Sequence, residues 1–126
     1  INDSWRFDDY FCFAIVTTTP NGTIQGALAV FGEKRQSTKS HSCLIEELLH
    51  GLGPNADKAT YAPSIFSKFT FPVEIPLNDQ ILIRTLYDPK IKPGMSSEQT
   101  RKLVPDIIHG LIEDVTAHGP EALYQH

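Results

Sequence analysis

The chain has 126 residues, 40% hydrophobic and 21% charged, with a formal net charge of −4. That length allows one domain to bury a core without metal or several disulfides as staples. An acidic balance with no basic run excludes a general field for nucleic acid, and no apolar run approaches the roughly 20 residues of a membrane span.

The chain opens at Ile1 with neither an initiator methionine nor a signal segment, so the expectation is a mature secreted form or a cut fragment. The first ten residues mix aromatic and acidic side chains without a period. Phe11 to Thr18, "FCFAIVTT", is β-branched and aromatic and predicts a largely buried strand. "PNG" at 20 to 22 signals a turn, and Thr23 to Phe31 completes a hairpin. Asn21-Gly22-Thr23 also fits a glycosylation sequon, but Asn-Gly in a turn explains it better.

Residues 32 to 42 are polar and predict a loop. Ser42 then serves as N-cap of a helix whose apolar stripe is Leu44, Ile45, Leu48, Leu49 and Leu52. Glu46 and Glu47 sit near its start, where carboxylates suit the helix dipole, and Gly53-Pro54 ends it. Residues 54 to 76 lack a clear period, and a loop of that length tends to be functional. A further helix opens at Leu77-Asn78-Asp79, with Asn78 as cap and Leu77 stapled onto Leu82, and should end at Asp88-Pro89. Ser96-x-x-Gln99 is a capping box for the last helix. Its inward residues are Leu103, Ile107, Ile108, Leu111, Ile112 and Val115, and Pro105 must kink or restart it. Strands first and helices afterwards give an α+β pattern, with little room for a nucleotide-binding βαβ unit.

The stretch Glu46-Glu47-Leu48-Leu49-His50 has the frame of the zinc-binding H-E-x-x-H, with glutamate in place of the first histidine. Helical spacing brings Glu46, His50 and Gly53 together, with Glu47 on their flank and the leucines opposite, so the polar trio should face away from the core. Four readings compete. The plainest is a solvated face with a Glu46–His50 pair. A zinc site would use Glu46 and His50 as ligands and Glu47 as base, although an anionic ligand weakens the Lewis acidity. A calcium site could draw oxygens from Glu46, Asn55 and Asp57. The fourth reading is a peptidase-like site that has lost its metal.

Nothing else in the chain competes strongly. There is no G-x-S-x-G elbow, and the other four histidines (His41, His109, His118 and His126) have no ligand-like spacing among themselves. His109 and His118 should lie on the exposed side of the last helix. Cys12 and Cys43 lack C-x-x-C spacing. Bridged, they would close a loop of about 30 residues, worth about 3–4 kcal/mol. Unbridged, they would be two buried thiols, and composition leaves both readings open.

Three segments taken in order, "CLIEELLHGLGPNAD", "YAPSIFS" and "LNDQILIRTLYDPKIKPGM", resemble those of an uncharacterised bacterial secreted-protein family allied to the zincin-like metallopeptidases. The resemblance spans residues 10 to 105. It implies a single zincin-like domain over 1–126, with a small N-terminal β-hairpin packed on the motif helix and two or three further helices. It also implies that Cys12 and Cys43 pair, which favours an oxidising compartment. Ser64-Ile65-Phe66 is similar to the S-I-M turn that passes beneath the metal in active metzincins.

The departures from that pattern concern the ligands. Glu46 stands where the first zinc histidine belongs, and the third-ligand position falls on Ala56, with Asp57 one residue late. Members of the family usually lack the full set, often with glutamine at the place of His50. Glu47 keeps the general-base position, of use only in an active enzyme.

The resulting expectation is a periplasmic or secreted, non-catalytic binding or scaffolding module with no cofactor, presenting a groove to a peptide or an envelope polymer. One alternative is a divergent zinc metallopeptidase using Glu46, His50 and Asp57. Another is a cytosolic structural domain with no groove function and reduced cysteines.

Overall fold

The computed structural model describes residues 12–31, 38–54, 63–67 and 70–125, with the backbone alone at Thr38 and Lys39. Its elements run β1 (Cys12–Thr18), β2 (Ile24–Phe31), α1 (Thr38–His50), α2 (Leu77–Leu86), α3 (Ser97–His118) and a closing 3₁₀ turn (Pro120–Tyr124). This is a small α+β arrangement of one antiparallel hairpin and three helices.

Turn chemistry builds the hairpin. The Thr19 amide donates to the Thr23 carbonyl at 2.8 Å and the Gly22 amide to the Thr19 carbonyl at 2.9 Å. Asn21 Oδ1 accepts from the Thr23 amide and hydroxyl. Register places Ala14 opposite Ala29 and Val16 opposite Ala27 on one face, Ile15 opposite Leu28 on the other. The first face meets α1, and its small residues permit a close approach. A Cβ on Gly51, just past the end of α1, would come within 3.0 Å of the Ala27 Cβ. The other face carries Phe13, Ile15 and Leu28, all exposed. Strand β1 is therefore half-buried in alternation, not largely buried as its apolar run suggested.

Three expectations for helix α1 fail. It starts at Thr38, inside the segment expected to be loop, so Ser42 is a buried helical residue and not the cap. Glu46 and Glu47 consequently sit well past its first turn, away from the favourable end of the dipole. The apolar stripe is also rotated. Leu49 is buried and Ile45 partly so, but Leu48 is 56% and Leu52 41% exposed. The buried sector instead runs through Ser42, Ile45 and Leu49 toward His50, and the reason is the partner packed there.

That partner is the segment after α1. Ile65 and Phe66, at 1% and 4% exposure, join Leu49 in the central cluster, with Ile45, Ile75 and Ile83 packed around them. The cluster thus draws on α1, α2 and the chain between them. Residues 63–67 and 70–76 form no helix or strand, as their lack of period suggested.

Helix α2 begins after Pro76 with no side-chain cap, so Asn78 is not the cap, and Asp79 is buried in its first turn. Helix α3 opens with the expected capping box between Ser96 and Gln99. It continues unbroken through Pro105 to His118, so the proline does not restart it. Ile107 is buried, but Ile112 is 47% exposed, against its expected inward place. His109 and His118 are exposed, and His109 pairs with Glu113 at 3.2 Å.

Candidate functional site

Cys12 of β1 and Cys43 of α1, 31 residues apart, form a disulfide that fastens the strand across the helix. One helical turn beyond Cys43 comes Glu47. Its Oε1 lies 3.5 Å from Cys12 Sγ, a contact without donation because a bridged sulfur has no proton to give. Between strand and helix lies a cavity of about 370 Å³ lined by Cys12, Phe13, Ala14, Val16, Glu47, His50 and Pro54. Successive strand residues point to opposite faces of a sheet. Phe13 and Ala14 both line the cavity, so main-chain as well as side-chain atoms of β1 border it. The cavity is an open groove with β1 on one side and Glu47 and His50 on its helical wall.

Two contacts orient the imidazole of His50. Its Nδ1 lies 2.6 Å from the Pro54 carbonyl oxygen. A carbonyl only accepts, so Nδ1 carries a proton and donates it to Pro54. The ring of Phe66 packs on it with centroids 5.1 Å apart and planes tilted by 48°. Nε2 lies 3.8 Å from Glu46 Oε1, beyond hydrogen-bond length but within reach of an ion pair when the ring is protonated. The two side chains are 13% and 24% exposed, so the face expected to look away from the core is largely covered.

Glu46, Glu47 and His50 are thus brought together, as the helical spacing requires. Phe66, within the Ser64-Ile65-Phe66 turn, lies against His50. Asp57, Asn55 and Ala56 lie outside the described residues. Among the described residues no three His, Cys, Asp or Glu side chains are grouped so as to hold a metal ion. Among the described residues, His50 has its Nδ1 proton held by a carbonyl, the outer hydrogen bond common to metal-ligating histidines.

Sequence reasoning missed several parts of this site. Phe13, Ala14 and Val16 read as ordinary strand residues, and Pro54 as a helix stop with no further role for its carbonyl. Asp79 carries no signal of its own in the sequence, because an acid in a helix's first turn is commonplace. Its carboxylate instead accepts from Ser64 Oγ at 2.7 Å and from the Ile65 amide at 2.6 Å. No sequence signal distinguishes that use from an ordinary helix start. A second depression of about 480 Å³, where α3 begins, is lined by Met95, Ser97, Thr100, Arg101, Val104 and Pro105, with no carboxylate or imidazole.

A family model described as "Protein of unknown function (DUF2927)" matches residues 2–106. The chain belongs to the DUF2927 family. No curated protein and no solved structure gives a significant match. The DUF2927 match covers the hairpin, the disulfide, the groove and the whole of α2, and it ends inside α3. No described helix is long and apolar enough to cross a membrane.

Proposed function

We propose that this DUF2927 domain is a non-catalytic binding module whose groove beside β1 receives an extended peptide, on a zincin-like scaffold with a degenerate metal site. The observation that carries the reading is the run of neighbouring β1 residues, Cys12 to Ala14 with Val16, along one side of a groove that has Glu47 and His50 on the other. A groove walled by a strand on one side and a helix on the other suits an extended chain, whose alternate side chains point to opposite sides and can enter pockets. The zincin-like relation rests on the E-E-x-x-H spacing and on the likeness of Ser64-Ile65-Phe66 to the S-I-M turn. A carboxylate in the first-ligand position supports lost catalysis, because the site keeps one imidazole where hydrolysis needs a strongly Lewis-acidic zinc. The disulfide supports residence in an oxidising compartment, periplasmic or extracellular.

Selection of random dodecapeptides on the oxidised protein tests the reading. Selected peptides should lose at least tenfold in affinity on Val16→Arg, which fills the groove, and should bind equally with and without chelator. Peptides that bind Val16→Arg as well as the parent would remove the groove from the proposal. One zinc per chain by elemental analysis, with chelator-sensitive peptidase activity, would promote the rival enzyme using Glu46, His50 and Asp57 as ligands and Glu47 as base.

A further inference from the structure

The geometry points to Asp79 as the residue that positions His50 from a distance. Asp79 is 3% exposed and does not line the groove. Both of its carboxylate oxygens are committed to the turn after residue 63: Oδ1 to the Ser64 hydroxyl at 2.7 Å, Oδ2 to the Ile65 amide at 2.6 Å. Ser64 Oγ in turn accepts from the Phe66 amide at 3.1 Å. The Ser64 carbonyl accepts from Thr70 Oγ1 at 2.9 Å and from the Ser67 amide at 3.3 Å. The turn is therefore held by its side-chain and main-chain polar groups, and its product is the placement of one ring, Phe66.

That ring restrains His50 from one side, and the Pro54 carbonyl holds it at Nδ1. A hydrogen bond at Nδ1 by itself lets an imidazole swing about it. The aromatic ring beside it narrows that freedom, with Nε2 on the side of Glu46. Asp79 thus acts on the groove through two intermediaries, Ser64 and Phe66. An ionised carboxylate suits the task because it only accepts, and both partners only need an acceptor. Asparagine would turn an NH₂ toward one of the two donors. The importance of Asp79 for ligand capture rests on the groove reading, but the positioning of His50 does not.

Long-range ¹H–¹⁵N spectra of the imidazoles, recorded on the ligand-free protein, read the positioning directly. The parent should show His50 as a single Nδ1–H tautomer with an exchange-protected proton. Asp79→Asn should lose that proton signal and average the two tautomers, while the exposed His109 and His118 keep their spectra. Ser64→Ala removes the hydroxyl linking Asp79 to the Phe66 amide, leaves the Ile65 contact, and should have the same effect. Ser96→Ala removes the cap of α3, lowers stability far from His50 and should leave His50 unchanged, separating positioning from mere loss of stability. If Asp79→Asn does not fold, Ser64→Ala decides. An unaltered His50 signature in either folded variant overturns the proposal. Loss of the signature in a protein that selects no peptide would sink the groove reading and leave the role of Asp79 standing.

Discussion

The Tyr87 hydroxyl donates to the Leu52 carbonyl at 2.7 Å, joining residues 35 apart in sequence. It ties the C-terminal end of α2 to the turn that closes α1, so the helix bearing His50 is anchored at the point where it hands the chain to Pro54. Tyr87 is half-exposed, and water can partly replace the lost partner. Tyr87→Phe should therefore cost only about 0.5–1 kcal/mol. Urea denaturation should show a lower midpoint with an unchanged slope. An unshifted midpoint would mean that the bond adds nothing.

Two glycines should respond oppositely to alanine. Gly53 has φ +127°, and a Cβ there would lie 2.9 Å from Leu86 Cδ2. Backbone strain and the clash act together, so Gly53→Ala should destabilise by more than about 1 kcal/mol. Gly110 lies within α3, and a Cβ added there would meet nothing within 4 Å. There the substitution only limits the unfolded chain and improves helix propensity, for a gain of about 0.5–1 kcal/mol. Thermal melts of the two variants should move in opposite directions.

The Cys12–Cys43 bridge closes a 31-residue separation between β1 and α1. Replacing both cysteines by serine should cost about 3–4 kcal/mol on the loop-entropy model. Because Cys12 lines the groove and Cys43 lies on α1, the same variant should lose peptide affinity even below its melting temperature. Denaturation curves and binding on one preparation would separate the two effects. Unchanged binding in the folded variant would mean that the bridge serves stability alone.

The hairpin, the last helix and the membership of an uncharacterised family were legible because each has a local cause: the Asn-Gly turn, the Ser96–Gln99 capping box, and segments matched in order. What a helix face packs against is not local. The pattern of α1 offers both leucines and the Ile45–Leu49 line, and the choice is made by Ile65 and Phe66, which arrive from residues further along the chain. Ser42 and Asn78 looked like caps by residue type, but α1 extends back to Thr38 and α2 starts behind Pro76. Pro105 removes one amide donor, yet α3 runs on with Ile107 buried just beyond it, a case of tertiary packing outweighing local propensity. The site was half legible: spacing alone joined Glu46 to His50, while the Asp79 clamp depended on contacts 14 and 15 residues apart.

Repairing the altered position of the motif gives the most discriminating experiment. In Glu46→His a second imidazole would sit one turn before His50, where Glu46 Oε1 now lies 3.8 Å from Nε2. His50 Nδ1 already lies against the Pro54 carbonyl, the outer hydrogen bond common to metal-ligating histidines. Two neutral ligands beside the Glu47 carboxylate should gain zinc affinity over the parent, because imidazole nitrogen donates to zinc without adding a further negative charge to the site. Zinc that binds only the native state raises its melting temperature, by about 2.7 kcal/mol in stability at a hundredfold excess over Kd. The parent should show a smaller shift, and Glu46→His combined with His50→Ala none beyond the parent's. If folded Glu46→His melts identically with and without zinc, the wall of the groove is not a metal site with one residue changed. The Glu46–His50 pair would then be an ordinary contact on a covered helix face.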